Sequence, residues 1–447
     1  MKLAIVGAGI GGLTAARALV AAGHDVRVFE AGPRAGGVVG TSSSGGFARE
    51  HAASSFVGGP PHGALALCRE LGVPVDKAAP AAKKRWIFID GKLRQLPGNP
   101  VAFVRSDLLT WRGKLDLLKE PFVANKRPVG EDESMYAFAA RRLGPQAARA
   151  IVAPFVTGVF AADAHDVSLE AGFPRLAALE AEGGLVRGMI KQMIRARRDG
   201  GAGAKRTERG LYAPVGGLGA LITALAAGLG DRLEVADPVR AIEATRDGIV
   251  VDGDRFDGCV LAIPAQDAAP VVAAVPELRD RLSVFTRSPV ALVYLGVPEA
   301  MVPRAADGFG FLVAQGEELR VLGVVFESTV WPDRAPAGSV LLRCIYGGGR
   351  DPEATKLDDA ALIAQARRDV ARALGSAGEI TPVHASVVRW PNGLPRYPVG
   401  HRDHVREATA VARRHRIVLA GADYRGPAIN DLCADAETIV AEVTAWA

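Results

Sequence analysis

The sequence predicts an α/β protein: a discontinuous Rossmann-like dinucleotide-binding domain, a mixed-sheet domain and a helical insert. Three observations predict it. The chain opens on a strand, a glycine loop, a helix and a second strand. It closes on a strand, a glycine turn and a helix suited to the same domain. Between them lie a proline-broken helical stretch and strands with their own apolar pattern. The expected boundaries are 1–77, 206–265 and 405–447 for the dinucleotide domain, 78–92 and 266–404 for the mixed-sheet domain, and 93–205 for the insert.

The opening unit carries the most specific signal. Lys2 to Val6 is a short apolar run, expected as a buried strand. Gly7-Ala8-Gly9-Ile10-Gly11-Gly12 follows, then an Ala/Leu-rich helix. Asp25 to Phe29 reads as the second strand and ends in Glu30. This is the βαβ dinucleotide fingerprint, with its acidic residue at the expected remove. Gly7 permits the tight turn, Gly9 lets the backbone approach a pyrophosphate, and Gly12 lets the helix pack against the strand. The helix start offers free N–H groups to phosphate, and Glu30 offers a carboxylate to a ribose.

The next segments choose the dinucleotide. Ala31 and Arg34 lead to a second glycine pair, Gly36-Gly37, which lets the backbone follow a longer cofactor. At the far end, Arg416 to Ala420 reads as a strand, followed by Gly421-Ala422-Asp423. Gly426 to Asp431 then leads into a helix expected over Leu432 to Trp446. A returning helix start that meets the far half of the cofactor favours FAD over NAD.

The middle of the chain has its own punctuation. Arg85 to Arg94 is a hairpin turning on Asp90-Gly91. Ser106 to Arg198 is largely helical, interrupted at Pro121, Pro128, Pro154 and Pro174. Asp199 to Arg209 is a Gly/Arg/Lys-rich loop, and Tyr212 to Leu218 opens another helix. Short strands are expected at Leu233 to Val235, Gly248 to Val251 and Cys259 to Ile263. Val290 to Leu295 and Val340 to Ile345 read as strands of a different sheet.

Composition excludes several classes. Hydrophobic residues make up 49 % of the 447 and charged residues 23 %, enough for a sizeable core. No run approaches the ~20 apolar residues of a spanning helix. The first strand begins almost at Met1, so no signal peptide is expected. The four cysteines, Cys68, Cys259, Cys344 and Cys433, are scattered without a CxxC pair. That argues against a metal knuckle and a disulfide framework and suits a reducing cytosol. The net charge of +5 comes without a basic platform interleaved with aromatics, so no nucleic-acid partner is expected. No Ser/His/Asp set, metal cluster or paired-carboxylate motif demands a catalytic role.

Further segments narrow the reading. They are the Pro214 to Leu218 glycine turn, the Val260 to Pro264 strand, Gly308-Phe309-Gly310-Phe311-Leu312-Val313, Leu322-Gly323, and Ser328 to Pro336. Arg389-Trp390-Pro391, Leu394-Pro395-Arg396-Tyr397 and Gly400-His401 complete the set. With these in order, the chain resembles, nearly end to end, the oxygen-dependent protoporphyrinogen oxidases of the FAD-containing amine oxidase-like superfamily. The resemblance implies a six-electron oxidation of protoporphyrinogen IX, with FAD taking hydride equivalents and O2 reoxidising it to give hydrogen peroxide. The flavin would then supply the redox chemistry and the protein the positioning.

The resemblance also implies site residues. Arg85 would hold a substrate propionate, and Leu312, Val325 and Ile345 would wall the macrocycle, with Ala162 near the reacting face. FAD contacts would fall on Gly7, Gly9, Ile10, Gly11, Gly12, Glu30, Ala31, Arg34, Gly36, Gly37, Val239, Trp390, Gly421, Ala428 and Ile429. The chain departs from the family pattern in three places. His51-Ala52-Ala53-Ser54-Ser55 follows Glu50 where relatives carry a Gly-Pro/Ala-Asn-Ser/Thr stretch. Ala162 stands where relatives have glycine, and Pro427 removes a backbone N–H. Two alternatives stay open: coproporphyrinogen III as substrate, with Lys83, Arg94 and Arg175 as added cations, and a flavin amine oxidase. The insert carries two basic amphipathic stretches, Leu108 to Lys119 and Arg187 to Arg198, readable as membrane-surface helices or as core-packed helices with solvated faces. The expected location is the cytoplasm, with the inner face of the cell membrane as a candidate surface and a homodimer left open.

Overall fold

Four of the five residues of Lys2–Val6 are buried, and the strand lies at the centre of a five-stranded parallel sheet. The order is Leu233–Val235, Asp25–Glu30, Lys2–Val6, Gly258–Leu261 and Ile417–Leu419. Val6 stands opposite Phe29 and Leu261, so the carboxyl ends of the central strands finish level. The protein is described here by a computed structural model covering every residue except 60–62, 99, 125–130, 199–207, 209, 247, 303–306, 377 and 447. Pro128 and nearly all of the Gly/Arg/Lys-rich loop therefore lie outside the described residues.

Parallel strands are buried on both faces, and both faces here are covered. On one, the first helix (Ile10–Ala21), the helix Leu218–Leu229 and the closing helix (Ile429–Thr444) share a core with Leu13, Leu19, Leu221, Leu225 and Ile439. On the other, Ala265–Val271, Pro276–Leu282 and His401–Arg414 pack over Leu261 and Leu419. The closing helix starts three residues before the expected Leu432. Ala428, at φ −78 and ψ 141, is its cap, and the Asp431 amide donates to the Ala428 carbonyl.

The second sheet has seven strands. Its order is His384–Pro395, Arg287–Pro298, Ser339–Gly347, Gly323–Phe326, Gly310–Val313, Trp86–Ile89 and Lys92–Gln95. It is mixed, because Gly310–Val313 runs parallel to Trp86–Ile89 and the other pairs are antiparallel. Asp90 (φ 52) and Gly91 (φ 72) form the hairpin turn, as both central residues of such a turn require positive φ. The hairpin's second strand runs to Gln95, past the boundary expected at 92.

Side-chain alternation gives this sheet two different faces. Phe311, Val313, Val324, Phe326, Leu342, Cys344, Ala291 and Val293 pack on the helix Asp359–Leu374 through Leu362, Ala366 and Val370. The alternate residues, Leu312, Val325, Ile345 and Leu292, turn the other way. There Leu292 and Ile345 share a cluster with Phe47 and with Ala161, which belongs to the insert.

The insert is helical, as expected. Pro174 opens Pro174–Ala181, where a missing N–H costs little, whereas Pro154 lies inside one helical run from Pro145 to Phe160, directly after a π turn at Ala148–Val152. Pro121 lies in a short 3-10 turn, Glu120–Phe122. Arg142, buried within the insert, pairs with Glu180 at 2.9 Å and Glu120 at 3.6 Å. Among the described residues, no helix is long and apolar enough to cross a membrane.

Candidate active site

The glycine loop lies at the carboxyl edge of the parallel sheet, where open α/β sheets bind their ligands. Gly7 has φ +101, and a side chain there would meet Ile263 Cγ2 at 2.6 Å. Gly12 has no room either, since a Cβ would lie 1.9 Å from the Gly7 carbonyl oxygen. Gly9 differs: a Cβ there would meet nothing within 4 Å. It caps the first helix without any side-chain hydrogen bond, so the first N–H groups, at Ile10 and Gly11, remain for an acceptor. A tight turn, a close helix and one open glycine at an uncapped helix start together make a cradle for a pyrophosphate.

Glu30, the predicted ribose partner, is itself held by backbone donors. Its Oε2 accepts from Ala8 N and its Oε1 from Gly32 N, each at 2.8 Å. Two oxygens fixed this way keep lone pairs for hydroxyl donors. Ala31 lies between these anchors. Ala236 N donates to Gly32 O and Asp237 N to Glu30 O, which brings the half-buried Val239 segment alongside.

From the cradle the predicted contacts run toward the large sheet. Gly36 N donates to Ala8 O at 2.7 Å, and Gly36 forms a bridge with Gly9. Arg34 holds this loop through the carbonyls of Val39 (3.0 Å) and Gly37 (2.9 Å), and reaches His51 Nδ1 at 3.3 Å. Burial first, then the Arg34 and Arg49 charges, hold the His51 imidazole below its usual pKa. Gly421 (φ +107) returns the chain to the cradle: a Cβ on Gly11 would lie 3.8 Å from its Cα. Ala428 and Ile429 start the closing helix, which meets the first helix where Thr14 Oγ1 donates to Leu432 O. Trp390 lies on an edge strand and donates from Nε1 to the His51 carbonyl at 2.7 Å.

The predicted substrate residues gather on one face. Leu312 is opposite Gly323, which is opposite Ile345, and Val325 is opposite Gly310. Arg85 precedes the strand beside Gly310–Val313 and shares this face by alternation with Ile87. Its exposed guanidinium lies 5.2 Å from the Phe309 ring centroid. The insert helix Ala153–Phe160 crosses this face, and a Cβ on Gly158 would come within 2.6 Å of Leu312 Cδ2. Ala161 takes the left-handed cap conformation (φ 47), whereas Ala162 has no positive φ. Ala162 is buried in the insert core.

A surface cleft lined by Lys2, Gly248, Arg255 and Phe256 lies at the amino edge of the parallel sheet, away from the glycine loop and this face. Cys433 lies inside the closing helix, where burial pushes its thiol up to about 12.

Sequence reading missed several residues that join the two halves. Glu50 pairs with Arg334 at 2.9 Å, and Arg343, whose charge Glu327 meets at 2.8 Å, reaches Ala52 O and Ser54 Oγ, with Glu50, Arg334, Glu327 and Arg343 all buried. Arg287 pairs with Asp423 at 3.0 Å, behind Gly421. Glu50 and Arg334 stood in quoted motifs, but nothing in the sequence joined them.

Comparison with known proteins agrees with this geometry. The sequence pattern of the flavin containing amine oxidoreductases matches residues 10–429. The chain belongs to this family. Its cofactor is a flavin, and the dinucleotide cradle makes that flavin FAD. The chain is 29 % identical to the chloroplastic protoporphyrinogen oxidase of Nicotiana tabacum, over 99 % of this chain and 85 % of that protein. It is 27 % identical to the coproporphyrinogen III oxidase of Staphylococcus aureus (strain NCTC 8325 / PS 47), over 99 % of each. A crystal structure of a candidate protoporphyrinogen oxidase from Exiguobacterium sp. 255-15 superposes with a TM-score of 0.81 at 23 % identity, covering 99 % of this chain and 98 % of that one. Wild-type putrescine oxidase superposes at 0.73 and 18 % identity, covering 99 % of each chain, which shows a shared fold.

Proposed function

We propose that this chain oxidises protoporphyrinogen IX to protoporphyrin IX, with O2 as acceptor and hydrogen peroxide as product. Six electrons and six protons leave the substrate in three pairs, and each pair reduces one O2. Bound FAD supplies the two-electron acceptor for each pair. The observation that carries the reading is the sheet face. Leu312 and Ile345 present half-buried aliphatic surface on either side of the buried Val325, and Arg85 stands at its margin with a guanidinium suited to a carboxylate. Such a face suits an apolar macrocycle with acidic substituents. Family membership and the tobacco relative support the same reading.

A second substrate has its own support. The Staphylococcus relative is named for coproporphyrinogen III, whose two further propionates would want further cations. Lys83 and Arg175 are exposed, whereas Arg94 is held by Asp90 and the Asp107 carbonyl. Anaerobic reduction of bound FAD by each porphyrinogen separates the two. Faster reduction by coproporphyrinogen III would overturn the first choice, and reduction by neither would overturn both.

The insert supports a location. Trp111 (70 % exposed), Leu115, Leu118, Phe122 (82 %), Met189, Ile190, Met193 and Ile194 form an apolar surface on Trp111–Leu118, the turn Glu120–Phe122 and Leu185–Arg198. Glu120 joins the pieces by accepting from Leu185 N and Val186 N. Arg112, Lys119, Arg187, Lys191 and Arg195 are exposed on the same elements. We read this as a face that rests on anionic lipid at the cytoplasmic surface of the cell membrane. Co-sedimentation with anionic vesicles tests it. Binding should be lost in Met193→Glu/Ile194→Glu, and equal binding by that variant would defeat the assignment.

A further inference from the structure

The segment Glu50 to Ser54 is gripped by the large sheet. Three successive carbonyls, those of Glu50, His51 and Ala52, accept hydrogen bonds from three side chains. The donors are Tyr294 Oη (2.5 Å), Trp390 Nε1 (2.7 Å) and Arg343 Nη1 (2.7 Å). They come from three consecutive strands: Arg287–Pro298, His384–Pro395 and Ser339–Gly347. Arg343 Nη2 also donates to Ser54 Oγ at 3.1 Å, while Glu327 meets its charge. Tyr294 and Arg343 are buried, so their bonds act away from water.

The other side of this strap touches the elements that hold FAD. His51 N donates to Gly40 O, and its ring meets Arg34, which bonds the Gly37 carbonyl. The Glu50 carboxylate accepts from Thr41 Oγ1 (2.7 Å) and from Leu218 N (3.1 Å) at the start of a Rossmann helix. Further on, Val57 O accepts from Asn430 Nδ2 at the start of the closing helix. The strap thus lies between the predicted FAD contacts and the sheet face of Leu312 and Ile345.

We propose that Tyr294, Trp390 and Arg343 are positioning residues. Through the strap they fix the FAD-binding loops at one distance from the face that receives the substrate. Family membership carries the flavin part of this inference, and the proposed function carries only its turnover part. The competing account is a passive interface, in which the same bonds add stability and leave the flavin unaffected.

Tyr294→Phe, Arg343→Lys and the double variant decide between them, each studied as holoenzyme. Each single variant should change the visible circular dichroism of bound FAD. Each should also raise the FAD dissociation constant about threefold to tenfold, as expected for one lost hydrogen bond. The double variant should depart from the product of the singles, because both bonds hold one strap. Turnover should fall in kcat more than in KM. A lower melting temperature with unchanged flavin dichroism and FAD affinity would overturn the proposal, as would single effects that simply multiply. Arg343→Lys keeps the charge that Glu327 meets, so it decides by its flavin spectrum even where Tyr294→Phe does not fold, and Trp390, itself a predicted FAD contact, is left unchanged. A wild-type holoenzyme that oxidises neither porphyrinogen would defeat the functional reading alone, because the dichroism and affinity would still decide the strap.

Discussion

Gly9→Ala should separate folding from cofactor binding. Gly9 has φ −64, which alanine adopts freely, and its added methyl would meet nothing within 4 Å. Alanine is the poorer helix cap, but it removes backbone freedom from the unfolded chain. The two effects oppose each other at about 0.5–1 kcal/mol each. The apoprotein should therefore melt within about 2 °C of wild type. FAD binding should not survive as well, because the methyl occupies the space through which the pyrophosphate reaches the helix N–H groups. Loss of one hydrogen bond to a charged oxygen is worth about 1.5–3 kcal/mol, or roughly 10- to 150-fold in the dissociation constant. Gly12→Ala provides the contrast. Its Cβ would lie 1.9 Å from the Gly7 carbonyl oxygen and 3.2 Å from Ala262 Cβ, so the helix must move off the strand. Overpacking of that kind costs about 1–3 kcal/mol and should lower apoprotein melting itself. The assays are thermal melting of both apoproteins and FAD titration by fluorescence quenching. Wild-type FAD affinity in Gly9→Ala would refute the placement of the pyrophosphate.

Other expectations follow from the same structure. Arg85→Ala should raise KM for the porphyrinogen about tenfold or more with flavin content unchanged, as expected for loss of a charge-assisted bond; an unchanged KM removes Arg85 from the substrate site. Burial pushes the Glu50 carboxyl up to about 7, against the pull of Arg334, from a starting value of 4.5. Between those values the folded state holds the proton more tightly than the unfolded state, so stability should fall by about 3 kcal/mol as pH rises through that window. Denaturant unfolding of wild type and Glu50→Gln across pH 4.5 to 8 checks this, and parallel profiles would contradict it. Gly158→Val should crowd Leu312 and slow porphyrinogen-driven flavin reduction while sparing FAD affinity. Equal reduction rates in the two proteins would place the insert helix away from the substrate.

The fingerprint at Gly7 to Gly12 was legible because its requirements are local. A turn, an open backbone and a close helix each select glycine at a fixed offset. The face formed by Leu312, Val325 and Ile345 was reachable through family resemblance, and strand alternation explains why the three share it. The strand His384–Pro395 was not legible. Pro391, Asn392 and Gly393 break its pattern, yet an edge strand tolerates a proline, and the pairing shifts register between Ser288 and Val290. The pairs Glu50–Arg334 and Arg287–Asp423 were hidden for another reason. Each joins residues more than a hundred positions apart, and a charged residue in a sequence is by default a surface residue.

Those hidden pairs explain how the chain can carry its departures at the cofactor. The turn after Gly421 has lost a backbone donor at Pro427, and Gly426 holds a positive φ of 119. Such a turn, left to itself, has fewer bonds to define it. Tyr397 supplies definition from outside: its hydroxyl donates to the Ala422 carbonyl. Arg287 fixes Asp423, whose Oδ2 also accepts from Ala265 N at 2.9 Å. The strap after Glu50 is pinned by Tyr294, Trp390 and Arg343. Arg287, Tyr294, Arg343 and Trp390 lie on the large sheet itself, and Tyr397 follows its edge strand by two residues. The sheet therefore holds two segments of the dinucleotide domain in place. Order at the flavin end of the site is imposed across the domain boundary, and a substitution on the sheet can reach the flavin without touching it.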